Sequence, residues 1–157
     1  MSEYTFFFTE SSPFSQWYRC SFRVDDVAFN CAEQFMMHGK AKLFADAAVA
    51  AKILAAEHPR DHKALGRKVQ NFDDATWKQA CTRIVMDGNR AKFTQNPELR
   101  ALLVATKGTT LVEASPYDRI WGIGLAATDP RARDATQWKG QNLLGKILTT
   151  LRDDLIG

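Results

Sequence analysis

Cysteine is scarce in this 157-residue chain, and the three thiols present, Cys20, Cys31 and Cys81, form an odd set at wide spacing. Such a set fits neither a disulfide framework nor a zinc ribbon, so all three are expected to be reduced core thiols. Long apolar runs are lacking as well. No stretch approaches the roughly 20 apolar residues that a membrane-spanning helix needs, which excludes a spanning protein. The opening MSEYTFFFTE has aromatic residues but no basic region, long apolar run or small-residue cleavage site, so it does not read as a signal peptide. A cytoplasmic location is the expectation. Charge of one sign is missing too: 21 Lys and Arg face 18 Asp and Glu, mixed rather than gathered, for a net charge of +3. That balance permits an anionic ligand without demanding nucleic acid. There is no G-x-S-x-G, no Rossmann fingerprint and no histidine-rich zinc motif. His58 and His62 have the spacing of helical metal ligands, but Pro59 follows the first and no third ligand is near, so no metal site is read there.

What is present describes a globular chain, 45% hydrophobic and 25% charged, of a length that suits one compact domain over residues 1–157. Residues 4–9 read as a strand, and residues 20–29 as a short hairpin around Asp25 and Asp26, giving a small N-terminal sheet. Helical patterns follow over 32–45, over 47–57 with Asp46 as N-cap, and over 59–69. A long helix starts at Asp73 or Asp74 and runs to about Gln95, with Trp77, Cys81, Ile84, Gly88 and Ala91 on its inner stripe. Asn96-Pro97-Glu98 opens another helix, which Lys107-Gly108 ends. A short strand is expected over 109–114, and an irregular, polar stretch over 126–140 is long enough to attract a functional reading. The last helix should bury Leu144, Leu148, Leu151 and Leu155 and leave Arg152, Asp153 and Asp154 in solvent.

Three constellations can carry chemistry. Glu33 and Lys40 lie seven residues apart on one helix, nearly on the same face and about 10 Å apart along the axis. They either line one wall around a shared ligand or belong to a solvated face. Asp118, Trp121, Gly122 and Gly124 bring a carboxylate, an indole and two glycines into a non-helical segment. Glycine lets a backbone approach a ligand and tryptophan offers a flat face to a base; a turn with a core tryptophan is the other reading. Gly140-Gln141-Asn142 runs into the last helix, where free N–H groups can receive a phosphate, or where Asn142 merely caps. Arg67 and Arg83 can neutralise phosphate or be surface charges.

Together these residues resemble the YbiA-like family, also called NADAR or DUF1768. The matching features are Ser12-Pro13-Phe14-Ser15, Ala32-Glu33-Gln34-Phe35 with Lys40, Gly66-Arg67, Trp77, Ala91-Lys92-Phe93, Leu102-Leu103 with Thr106, and Leu111-Val112-Glu113. Asp118 through Gly124, Gly140 through Gly145, and Arg152 complete the set. The resemblance implies an α+β, mainly helical, single compact domain. It implies an N-glycosidase that hydrolyses a ribosyl C1′–N bond in a phosphorylated, nucleotide-like substrate. That substrate is a phosphoribosylamino-pyrimidine of riboflavin biosynthesis or an ADP-ribosylated guanine, free or in nucleic acid. A catalytically silent module that binds ADP-ribose or a related nucleotide is the alternative. Glu33, Lys40 and Asp118 match catalytic positions; Phe14, Arg67, Trp77, Trp121, Gly122 and Asn142 match substrate-binding ones. Gln34 stands where many members carry histidine. A carboxylate stabilises the positive charge that develops on the ribose, and a desolvated lysine can attack C1′ to form a Schiff base, or else bind a phosphate or hydroxyl oxygen. No metal or organic cofactor is required by this chemistry, and the oligomeric state is left open.

Overall fold

The computed structural model describes residues 3–157. Its elements run, in chain order, β1 (Tyr4–Phe7), β2 (Phe22–Val24), β3 (Val27–Phe29), α1 (Ala32–Leu43), α2 (Ala47–Ala55), α3 (Pro59–Gly66), α4 (Asp74–Gln95), α5 (Pro97–Val104), β4 (Thr110–Glu113) and α6 (Leu143–Ile156). Two 3-10 turns, Pro130–Arg133 and Ala135–Gln137, precede α6. The class is α+β and mainly helical. Chain contacts group into two compact units, Gln16–Asn96 and a second made of Met1–Ser15 with Pro97–Gly157.

In Gln16–Asn96, α1 is packed by α2, α3 and α4. Asp46 and Asp73 cap α2 and α4 through their carboxylates, as their place before the helical patterns requires. Helix α1 uses a sulfur instead. Cys31 Sγ accepts the Gln34 N–H at 3.4 Å and lies 3.5 Å from His62 Nδ1. His62 Nε2 is 2.7 Å from the Ala56 carbonyl. A carbonyl only accepts, so Nε2 carries the ring proton and Nδ1 receives the thiol's. Burial raises the Cys31 pKa to about 11, which keeps it a thiol. The β2–β3 hairpin turns on Asp25 and Asp26, both at positive φ as a type I′ turn requires. Phe22 stacks on Phe29, and the Phe35 ring meets Phe29 edge-on. Gly88 on α4 leaves the space this Phe35 ring fills. Further along α4, Lys92 is fully buried with its ammonium over the Tyr18 and Phe93 rings, and desolvation lowers its pKa to about 8.

In the other unit β1 pairs in parallel with β4, from Tyr4 opposite Thr110 to Phe7 opposite Glu113. The expected single N-terminal sheet is therefore two separate two-stranded ones, because β1 finds its partner about a hundred residues away rather than in the hairpin. Val112, Ala114, Ile123, Leu125 and Ala132 form a buried cluster on which Tyr4, Phe6 and Trp138 pack. The 126–140 stretch is only partly irregular, with seven residues in two 3-10 turns. Asp129 and Asp134 each cap a 3-10 turn, Trp138 Nε1 donates to the Ala132 carbonyl at 2.8 Å, and Ala132 is fully buried. Helix α6 packs on β4 and buries Leu144, Leu148 and Leu151 as expected, with Ile147 added and Leu155 half-buried. Arg152 departs from expectation. It is 3% exposed, and its guanidinium donates to the Thr106 and Thr109 carbonyls at 3.0 and 2.6 Å, in the turn that follows α5. No helix among the described residues is long and apolar enough to cross a membrane.

Candidate active site

Helix α1 holds Glu33 in its first turn and Lys40 two turns on. A solvated face would leave both in water. Instead Glu33 is 5% exposed, with its amide on the Gln16 carbonyl at 2.9 Å, and Lys40 is half-buried. The Lys40 ammonium lies 4.7 Å from the centroid of the Phe72 ring and 5.7 Å from that of Trp77. Burial, and after it the Arg67 guanidinium, push the Lys40 pKa below the ordinary lysine value, while Glu33 pulls the other way. Both environmental effects favour a neutral amine, the form that can act as a nucleophile. Arg67 ends α3 as its C-cap and is exposed. Helix ends and one long helix thus bring Glu33, Lys40, Arg67 and Trp77 into one neighbourhood.

Phe72 is absent from the set read in the sequence. An apolar residue just before the N-cap Asp73 reads as a hydrophobic staple onto the fourth helical residue, here Trp77, and that reading hides its position over a lysine from another helix. Asn71, at φ 61°, turns the chain just before it, and Asp46 Oδ2 accepts the Gln70 N–H at 2.9 Å to hold the loop. The signal available was composition: an aromatic residue in a turn, next to an expected site tryptophan's helix.

Asp118, Trp121, Gly122 and Asn142 belong to the unit built on β1 and β4. Asp118 Oδ1 accepts the Ile120 and Trp121 N–H groups at 2.9 Å each, so the carboxylate shapes its own turn. Segments 118–124 and 139–144 lie against each other. The amides of Lys139 and Gly140 donate to Ile123 O, that of Gln141 to Arg119 O, Asn142 to Gly122 O, Leu143 to Ile120 O and Leu144 to Trp121 O. The free N–H groups expected at the start of α6 are therefore already bonded, which corrects the phosphate reading of that helix end. The glycines serve the same contact: a side chain on Gly140 would run into the Gly122 carbonyl, and one on Gly122 would sit 2.9 Å from the Glu113 carbonyl. Asn142 stands at the N-cap position in a left-handed conformation, yet its side chain does not cap. Fully buried, it donates from Nδ2 to Leu111 O and accepts the Glu113 N–H at Oδ1, both at 3.0 Å. Its amide clamps β4 rather than standing open to a ligand.

Two more residues make structural contacts. Phe14 packs edge-on against Phe7, 5.8 Å between centroids, and is 9% exposed, so most of its ring lies in the core. Gln34 accepts the Asn30 N–H at 2.8 Å and donates to the Ile53 carbonyl at 3.1 Å, tying α1 to the end of α2. Among the described residues no group of three or more His, Cys, Asp or Glu side chains is placed to hold a metal ion.

The NADAR domain family model matches residues 5–156. The chain is 42% identical over 146 residues to N-glycosidase R617 of Acanthamoeba polyphaga mimivirus, covering 90% of this chain and 86% of that protein. It is 30% identical over 110 residues to the chloroplastic riboflavin biosynthesis protein PYRR of Arabidopsis thaliana, a match that spans 68% of this chain and 16% of the much longer relative. Among solved structures, the NMR structure of the Escherichia coli protein YbiA superposes with a TM-score of 0.80 at 28% identity, over 99% of this chain and 87% of that one.

Proposed function

The chain belongs to the NADAR family, and from that premise we propose that it hydrolyses a ribosyl C1′–N bond in a phosphorylated, nucleotide-like substrate. It is a hydrolase acting on N-glycosyl bonds, the activity carried in the names of N-glycosidase relatives. The observation that supports the finer reading is the half-buried Lys40, whose amine is shifted toward neutrality beside a buried carboxylate, an exposed guanidinium and two aromatic rings.

In this reading the neutral Lys40 amine attacks C1′. The C1′–N bond breaks, its electron pair leaves with the base nitrogen, and Glu33 passes the proton released by the amine to that nitrogen. The ribosylamine opens to a Schiff base, and water hydrolyses it to return the sugar and the free amine. Arg67 receives phosphate oxygens; Trp77 shapes the pocket of the leaving base. A phosphoribosylamino-pyrimidine has the required ribose, base and phosphate, and the riboflavin names among the relatives make it the first substrate to offer. ADP-ribosylated guanine, free or within nucleic acid, carries the same three parts. The enzyme is assigned to the cytoplasm, where free thiols stay reduced.

The test is mass-spectrometric turnover of both substrates by wild type, Glu33→Gln, Lys40→Ala and Asp118→Asn. Asparagine can still accept the two turn N–H groups at position 118, so that variant removes charge and keeps geometry. The expected result is release of free base by wild type well beyond one equivalent, reduced about a hundredfold or more in Glu33→Gln and Lys40→Ala, the two residues with a part in the steps above; a like loss in Asp118→Asn would add that carboxylate to them. Tight binding of ADP-ribose without release of base would favour the silent binding module.

A further inference from the structure

We infer that Phe72 is a specificity-determining residue, the ring on which the leaving base stacks. The inference rests on Lys40 attacking C1′ and adds a residue that neither helix pattern nor motif singled out.

Distance carries it. An amine poised for attack stands roughly 3–3.5 Å from the carbon it will bond, and the leaving nitrogen lies one bond of about 1.5 Å beyond. The nearest atom of the base is then about 5 Å from Lys40 Nζ. The Phe72 and Trp77 centroids stand 4.7 and 5.7 Å from that same atom, so a base joined to C1′ comes within reach of a ring face. Of the two rings, Phe72 is nearer the amine and more open, at 44% exposed against a half-buried Trp77. Phe72 is also held. The Phe44 ring backs it at 5.4 Å and 57°, Asp73 fixes the helix start that follows it, and the Gln70–Asp46 bond fixes the loop that precedes it. An exposed aromatic ring kept in one place beside a reactive amine can bind a planar group at little cost in ordering.

Phe72 also meets the pattern of a hydrophobic staple, and a staple needs only bulk and apolarity. Leucine supplies both without a flat π face; tyrosine keeps the face. The experiment compares wild type, Phe72→Leu and Phe72→Tyr, as full chains, in steady-state turnover of the ribosylated base that wild type releases and in equilibrium binding of ribose 5-phosphate, which has no base. The expected result is a KM raised about tenfold in Phe72→Leu, the order of one lost base stack, with kcat changed far less. Phe72→Tyr should stay within about twofold of wild type, and all three proteins should bind ribose 5-phosphate alike. A wild-type KM in Phe72→Leu overturns the inference, as does weakening of ribose 5-phosphate binding equal to the rise in KM. Failure of wild type to release any base overturns the glycosidase reading and this inference with it, whereas an unchanged KM overturns this inference alone.

Discussion

Lys40 feels two opposed charges. The Arg67 guanidinium disfavours its ammonium and the Glu33 carboxylate favours it, so the two neighbours should displace the pH profile in opposite directions. If the neutral amine is the nucleophile, activity rises with pH through the Lys40 pKa. Arg67→Gln removes a repulsion, raises that pKa and moves the acidic limb of kcat to higher pH. Glu33→Gln removes an attraction and moves the limb of its residual activity to lower pH. Limbs that shift in the same direction, or not at all, would count against titration of Lys40 as the controlling event.

Lys92 gives a second prediction at this scale, on stability. Its pKa is about 8 in the fold against an ordinary 10.5. Between those values the unfolded chain holds the proton and the folded one does not, so this residue's contribution to stability rises with pH across that window and is lost as pH falls through 8. Lys92→Met should remove that contribution. The stability of wild type minus that of Lys92→Met, measured by urea denaturation from pH 8 to 10.5, is expected to rise; a flat difference contradicts the placement of a buried, titrating amine.

Elements were legible where local chemistry decides them. Asp46 and Asp73 announced two helix starts, Pro97 a third, and Asp25-Asp26 a hairpin, because a cap or a two-residue turn depends on neighbours in sequence. The pairing of β1 with β4 was not legible, since two four-residue strands about a hundred residues apart carry no mark of each other. The role of Asn142 was hidden for the same reason. Its place before α6 suggested a cap, while its amide bonds both Leu111 and Glu113 of β4. Asn142→Ala should therefore cost about 2–3 kcal/mol in urea denaturation, because two strand groups lose their partner in a fully buried place. A loss below about 0.5 kcal/mol would mean that the clamp contributes little.

For the molecule as a whole, class and family could be read from the order of seven or more short blocks, and the match over residues 5–156 agrees. The candidate site was legible only in part. Glu33 and Lys40 share a helix, so their spacing put them on one face but left a solvated face as the other reading; Arg67 was read as a phosphate or surface charge, and Trp77 followed from the family resemblance. Arg152 looked like a solvent charge, and nothing local reveals that the fold encloses it or Lys92. Phe72 joins Lys40 through a loop between α3 and α4, and Phe14, Gly122 and Asn142 make packing and hydrogen-bond contacts that no local pattern announced. The shared lesson is that a charge or ring takes its role from what tertiary structure sets beside it.

The most direct test of the account is borohydride reduction during turnover, followed by peptide mapping. Reduction should stop base release and leave a ribityl phosphate on the peptide bearing Lys40. Continued formation of free base with that peptide unmodified would contradict a covalent mechanism through Lys40.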